Sequence, residues 1–425
     1  MEKYALVITF FFYSIGLLSQ SGYTNAFIEA DKVWKQNKSN YYSPIQYLKQ
    51  LEKDSLSKFE KNICYDALAT YNAMISNFEE TIQYDILRRN QGRYNNSNTV
   101  DSTFSSNKMS SAKKEILNIA KEYDVIMINE SHHTPYHRAF VSELLQELHE
   151  LGFNYLALEA LSHKQEINER KYPCFEDGFY TKEPLFGEMI RQAVKLNYKL
   201  VAYEAVEKCD PKQGKKKDRY YCQRFRDSIQ AMNIYEIKKN DKNAKILVLA
   251  GYSHIKKNSK PHKTRMAEYF KRMSGIDPLS IDQTVMMDLG DTSFLNPYYK
   301  YALDSLPKEP VVYLDQNGKI WNHSKRVDIT IFSPKLSKSD NRYSFYNLVG
   351  KIKYSPEIDD DEIFFVQAFY EEEKGNTIPA DQYFRDKNKK YLYLYPGSYR
   401  IQFRDKEGVL ISEIKKEILE NKSGD

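Results

Sequence analysis

The chain has 425 residues, 41% of them hydrophobic and 28% charged, with a net charge of +5. That composition is ordinary for a globular protein, and the length suggests two or three domains. So small a charge, with no zinc-finger, helix-turn-helix or RNA-reading motif, argues against a nucleic-acid partner. Tyrosine is abundant, at 35 residues. Pairs such as Tyr41-Tyr42 and Tyr298-Tyr299 sit in exposed-looking contexts, which suggests that tyrosines serve surfaces as much as cores.

Lys3 precedes an apolar run, Tyr4 to Leu18, and Ser19-Gln20-Ser21 then offers a small-x-small cleavage site. Residues 1–21 read as a secretory signal peptide, with an uncleaved anchor as the alternative. The run is short of the roughly 20 apolar residues of a spanning helix. No later stretch is apolar enough to span, so the expectation is an exported protein, periplasmic, envelope-bound or secreted, with no membrane span after cleavage. Export permits disulfides. Among Cys64, Cys174, Cys209 and Cys222, a Cys209–Cys222 bridge around Lys215-Lys216-Lys217 is favoured, with free thiols as the alternative.

Residues 22–108 read as an N-terminal helical extension of two or three helices, and nothing in them suggests chemistry. Asn95-Asn96-Ser97-Asn98 marks a linker. Residues 109–300 change character. Ser110-Ser111 can cap a helix over Ala112–Tyr123. Four short apolar runs follow, Val125–Ile128, Tyr155–Leu158, Leu200–Tyr203 and Ile246–Ala250, alternating with amphipathic helical stretches. This predicts an α/β domain with a mostly parallel sheet flanked by helices.

The strand ends carry the chemistry. The first run ends in Asn129-Glu130-Ser131-His132-His133, with His137-Arg138 about a turn later; the second ends in Glu159, the third in Glu204, and the fourth in Gly251-Tyr252-Ser253-His254. In a parallel sheet these ends share one edge, where ligands bind. A glutamate there needs a partner, because an unpaired buried charge is costly. Only one of the adjacent histidines is expected to face the crevice, which leaves His132 ambiguous.

These motifs resemble those of a superfamily that includes erythromycin esterases, ChaN-like haem-uptake proteins and Tiki metalloproteases. Its pattern is a strand followed by Gly-Glu-x-x-His, an acidic residue after a second strand, and a late Gly-x-x-His. Here these are Asn129–His133, Glu159 and Gly251–His254, and Arg226-Asp227 with Asn233 looks like the family's arginine-bearing helix. The resemblance covers roughly residues 109–290 and implies that Glu130, His133, Glu159 and His254 are site residues. Asn129 stands where the family has glycine.

Residues 305–425 hold short strands separated by turn signals, including Val311–Tyr313, Val327–Phe332 and Tyr391–Tyr395. They predict a C-terminal antiparallel β-sandwich. In Tyr391–Tyr395 tyrosines and leucines alternate between faces, with packing on a neighbouring sheet or domain favoured over a ligand grip.

The leading functional expectation is a hydrolase acting on a small-molecule ester or a peptide. His133 activates water or holds a metal, Glu130 and Glu159 orient it, His254 is a second acid or base, and Arg138 or Arg226 stabilises negative charge. Glu130, His133, Glu204 and His254 are the candidate ligands of a divalent zinc, manganese or iron. The alternatives are a crevice that holds haem without turnover, and a decayed site beside a working C-terminal domain.

Overall fold

A computed structural model describes residues 25–91, 100–214, 218–339, 342–343, 350–358, 360–385 and 391–420. The expected signal peptide, the Asn95–Asn98 linker and Lys215–Lys217 lie outside the described residues. No helix among the described residues is long and apolar enough to cross a membrane.

Four helices come first, rather than two or three: α1 (Ala26–Gln36), α2 (Ser43–Leu51), α3 (Lys58–Met74) and α4 (Phe78–Gln91). Asn25 caps α1 by accepting the Phe27 N–H, and Ser57 with Glu60 forms a reciprocal capping box on α3. Trp34 packs edge-on to Tyr41, Tyr71 and Phe175 in the core of this layer. Tyr41 and Tyr299 are buried, so these exposed-looking tyrosines are core residues.

The central part contains β1 (Lys108–Ser111), α5 (Ala112–Ala120), β2 (Val125–Glu130), α6 (Pro135–Glu150), β3 (Phe153–Leu158), α7 (Ile167–Arg170) and α8 (Pro184–Lys195). It continues with β4 (Lys199–Ala202), α9 (Tyr221–Asn240), β5 (Lys245–Gly251), α10 (Met266–Ser274), β6 (Leu279–Met286), α11 (Pro297–Ala302), β7 (Val311–Leu314) and β8 (Ile329–Phe332). Ser111 makes no side-chain cap on α5; the chain passes straight from β1 into the helix, and Ser110 bonds Glu115 instead. α6 and α8 end where Gly152 and Asn197 take positive φ.

Eight strands form one sheet in the order β1-β7-β8-β6-β2-β5-β3-β4. The six from β8 to β4 are parallel, and β7 and β1 close one side antiparallel. Val311–Tyr313 and Val327–Phe332, expected in the C-terminal sandwich, therefore belong to the main sheet, which draws on residues beyond 300. Both faces of β2 are covered, which explains its continuous apolar run. Ile126 and Ile128 meet Phe140, Leu145 and Met189 of α6 and α8, whereas Val125 and Met127 meet Ile234 and Phe270 of α9 and α10. Truncating one such residue to alanine costs about 2–5 kcal/mol.

The remaining strands are β9 (Lys338–Ser339), β10 (Arg342–Tyr343), β11 (Ile352–Tyr354), β12 (Phe365–Tyr370), β13 (Asp381–Phe384), β14 (Leu392–Leu394), β15 (Gly397–Arg404) and β16 (Leu410–Ile418). They form a four-stranded antiparallel sheet, β13-β12-β15-β16, and two-stranded ribbons β11-β14 and β9-β10. Leu392 and Leu394 of β14 share a core with Val366, Tyr383 and Ile401. Tyr393, on the other face, packs against Phe78, Tyr136 and Leu185 of the preceding layers.

Candidate functional site

The sheet order sets Glu204, Glu159, Gly251 and Glu130 side by side at the C-terminal ends of β4, β3, β5 and β2. Glu130 is paired in register with Gly251, and the Glu159 N–H donates to the Leu249 carbonyl. Asn129 needs no left-handed backbone. Its Nδ2 lies 2.6 Å from the Tyr252 carbonyl and 2.9 Å from Asp282 Oδ1, and its Oδ1 accepts the Gln283 N–H. The asparagine thus ties β2, β5 and β6 together. Tyr252, at φ +39°, is held by that bond, by donation from its N–H to the Glu130 carbonyl, and by a 3.1 Å contact between its hydroxyl and Ser131 Oγ.

Glu130 is gripped on both oxygens. Arg138 Nε and Nη2 donate to Oε2 and Oε1 at 2.7 and 3.0 Å. Burial opposes the charge on Glu130, but Arg138 and His132 outweigh it and bring its pKa down to about 2. Arg138 is fully buried and spends its other donors on Glu183 and the His132 carbonyl. Glu183 in turn caps α8. With four of its five N–H donors committed and its side chain wholly buried, Arg138 fixes Glu130 and the backbone of His132, whereas Arg226 keeps 17% exposure.

His132, not His133, faces this carboxylate. Its Nδ1 lies 3.0 Å from Glu130 Oε1, and its ring stacks on Tyr180 at 4.0 Å between centroids. A Cβ on Gly251 would stand 2.8 Å from His132 Cε1 and Nε2 and 3.4 Å from Glu159 Oε2. The missing side chain is what lets the ring and Glu159 meet over the strand end. His132 Nε2 has no partner among the described residues, and the side chain keeps 18% exposure.

The second half of the crevice centres on Arg226, near the start of α9. Its Nη2 donates to Glu159 Oε1 and Glu204 Oε2, each at 2.5 Å, and its Nε donates to Glu204 Oε1 at 2.8 Å. Glu159 also accepts the Gly251 N–H at 2.6 Å. Burial opposes its charge too, but His254, Arg226 and that N–H bring its pKa down to about 2. Asn233 bonds the Tyr203 carbonyl and steadies the turn that carries Glu204. His254 Nδ1 sits 2.5 Å from Asp227 Oδ1, and its Nε2 lies 3.0 Å from Arg226 Nη1 and 3.9 Å from Glu159. When the ring is neutral, Nε2 accepts from the guanidinium and the ring proton is on Nδ1. Burial disfavours the imidazolium, but Asp227 and Glu159 raise its pKa above the ordinary histidine value, so the ring takes a second proton readily once Arg226 shifts.

His133 turns the other way. Its Nε2 meets Asp85 Oδ1 of α4 at 3.3 Å and Ser131 Oγ at 3.4 Å. One nitrogen meets both groups, so this is not a serine–histidine–aspartate relay, which needs both ring nitrogens. Asp85 is bonded by Arg88 and Arg89; burial opposes its charge, but His133 and these arginines hold its pKa far below the usual range. The helical extension thus supplies a wall of the site region, contrary to its expected silence. The four expected metal ligands are not brought together. His133 is on Asp85, Glu130 on Arg138, and Glu204 on Arg226, whose guanidinium fills the space among Glu159, Glu204 and His254. Among the described residues no group of three histidine, cysteine, aspartate or glutamate side chains has the spacing to hold a metal.

Sequence reasoning named Asp227 beside Arg226 without giving it a role and left His132 ambiguous; it missed Asp85 and Tyr180, which carry no local signal. The Cys209–Cys222 disulfide forms beside this half of the site, while Cys64 and Cys174 are buried free thiols.

No family model matches the chain, and no curated protein matches it. Among solved structures it is similar to the type III effector HopBA1, at 12% identity and a TM-score of 0.34, over 56% of this chain and 100% of that one. It is similar to the RRSP effector domain of a MARTX toxin from Vibrio vulnificus, at 12% identity and a TM-score of 0.31, over 63% of this chain and 65% of that one. It is also similar to Pasteurella multocida toxin, at 15% identity and a TM-score of 0.28, over 54% of this chain and 34% of that one. At these TM-scores the likenesses carry no argument about activity.

Proposed function

We propose that the chain is a hydrolase of an ester or a peptide, of the type implied by the erythromycin esterase, ChaN-like and Tiki resemblance, working by general acid–base catalysis. One observation carries this reading. Two imidazoles, His132 and His254, each hold Nδ1 against a buried carboxylate, at 3.0 and 2.5 Å, and both flank Glu159. Carboxylate anchoring fixes the tautomer and directs Nε2 to the reacting group. His132 Nε2 takes a proton from water as the water oxygen attacks the carbonyl carbon. Arg226 faces the charge that develops on the carbonyl oxygen. His254, protonated once Arg226 turns to the oxyanion, gives its Nε2 proton to the leaving oxygen or nitrogen as that bond to carbon breaks. Glu159 orients Arg226 and favours the imidazolium. The Cys209–Cys222 disulfide supports an exported site of action.

The test is a panel of nitrophenyl esters and a peptide mixture read by mass spectrometry. The parent chain is expected to cleave a member of the panel. His132→Gln and His254→Gln are expected to lose about 10²–10⁴-fold in rate, and His133→Gln to stay within several-fold. Cleavage of nothing by the parent, or full activity in His132→Gln, overturns the reading. A haem Soret shift without turnover, lost in His132→Gln, would replace it with ligand binding.

A further inference from the structure

The sheet β13-β12-β15-β16 has two unlike edges. β13 is four residues long and mostly buried, and Gln382 within it donates to the Met74 carbonyl at the end of α3. β16, at the other edge, runs for nine residues, the longest strand among the described residues. Ile418 is buried and Ile411 half-buried, and the other seven residues of β16 are exposed. The strand bonds to β15 on one side, and among the described residues no backbone hydrogen bond reaches its outer edge. Four of the eleven exposed large hydrophobic side chains among the described residues, Val409, Leu410, Ile414 and Leu419, lie on this strand or beside it. A long free edge is a template for another strand, and chains that must keep one free blunt it by short length, proline or lysines. Residues 405–420 contain no proline, and Lys415-Lys416 is balanced by Glu413 and Glu417.

The charge pattern of β16 identifies the partner. In antiparallel pairing, opposed residues share a face of the pleat and interact directly. The register that pairs all nine residues of β16 with those of a second copy sets Ile414 opposite Ile414. Glu413 of each copy then faces Lys415 of the other, and Leu410 of each faces Ile418 of the other. Moving the centre by one residue, to Glu413 or Lys415, puts like charges face to face, which is destabilising. The full-length register is thus the self-complementary one. Within the chain Glu413 accepts from Gln402 at 2.7 Å and Lys415 pairs with Glu371, and both remain exposed.

We infer that β16 is a self-association edge: two copies of the chain pair antiparallel through it, centred on Ile414, and join their four-stranded sheets into one. The interface is independent of the hydrolase reading, since β16 contributes no residue to the crevice.

Sedimentation of the full chain over a concentration series tests this. The parent is expected to pass from monomer to dimer. Glu413→Lys and Lys415→Glu each turn both opposed pairs repulsive, and each is expected to weaken self-association about tenfold or more. Mixed in equal amounts, the two variants regain opposite charges at both pairs, and the mixture is expected to dimerise like the parent. Amide hydrogen exchange of the parent supplies a measurement that needs no variant: exchange across residues 410–418 is expected to slow as the dimer forms. A parent that stays monomeric, a dimer that both substitutions leave unchanged, a mixture no tighter than its components, or exchange in β16 that ignores concentration overturns the inference.

Discussion

Asp227 and His254, 27 residues apart, meet at 2.5 Å between Oδ1 and Nδ1, and the same oxygen accepts the Met266 N–H that opens α10. One buried carboxylate thus orients an imidazole and anchors the helix behind it. Asp227→Asn keeps an oxygen for Met266 or for the ring, but not a charge for both. Turnover is expected to fall by about 10³–10⁴-fold, in keeping with loss of the carboxylate from such a pair. The melting temperature should fall as well, because Asp227 is fully buried and also faces Arg265, so kinetics are compared below the unfolding transition. Steady-state kinetics beside thermal unfolding checks this, and unchanged kcat would show that Asp227 is only a helix anchor.

Glu130→Gln leaves the guanidinium of Arg138 buried with a weakened partner. Breaking a buried pair in this way costs about 3–5 kcal/mol. Urea unfolding of Glu130→Gln, Arg138→Met and the double variant measures it. The double variant should be more stable than the sum of the two losses predicts, because it removes both charges together. Simple additivity would mean that the two side chains do not act as a pair.

Gly251→Ala sets a methyl group 2.8 Å from the His132 ring. The ring must leave either Tyr180 or Glu130. Overpacking of this kind costs about 1–3 kcal/mol. Activity should fall further than stability does, as seen by comparing kcat/KM with the unfolding midpoint. Wild-type kinetics would remove His132 from the reaction.

Three groups of the crevice contribute to the pH dependence of stability. Glu130 and Glu159 have folded pKa values near 2, below the ordinary 4.5, so their contribution is complete above 4.5 and lost as pH falls from there towards 2. Together they are expected to contribute on the order of a few kcal/mol. His254 has the opposite sign. Its raised pKa contributes stability below the ordinary 6.5, and that contribution fades as pH rises through the folded value. Denaturant midpoints from pH 2 to 9 should therefore drop steeply in acid and decline gently above neutrality. In His254→Gln the alkaline decline should lessen, with Glu143, Glu183 and Glu373, whose pKa values burial raises, supplying the remainder, while the acid limb stays.

Local pattern made the parallel sheet legible, because β2, β3, β4 and β5 are apolar runs with a turn signal at each end. The convergence of Glu159, Glu204 and His254 followed from strand direction alone. What stayed hidden depended on contacts between distant segments. Whether His132 or His133 faces the crevice is decided by the bare backbone of Gly251 and by Asp85, which no periodicity near residue 132 reports. Arg138 looked available for chemistry because its buried partner Glu183 lies 45 residues on. Val311 and Ile329 read as a separate sandwich because a short strand carries no mark of the sheet it joins.

Tyr393 has one further consequence. It closes a small apolar cluster in which Phe78 comes from the first helices, Tyr136 and Leu185 from the α/β layer, and Tyr393 itself from the last ribbon. The Gln382 side chain adds a bond to the Met74 carbonyl. Gene truncations that stop before residue 350 would strip the lid from α4 and α6 and leave an apolar scar on both. Such fragments are expected to accumulate as insoluble material rather than as a smaller enzyme, and the three parts of the chain should be inherited, expressed and lost together.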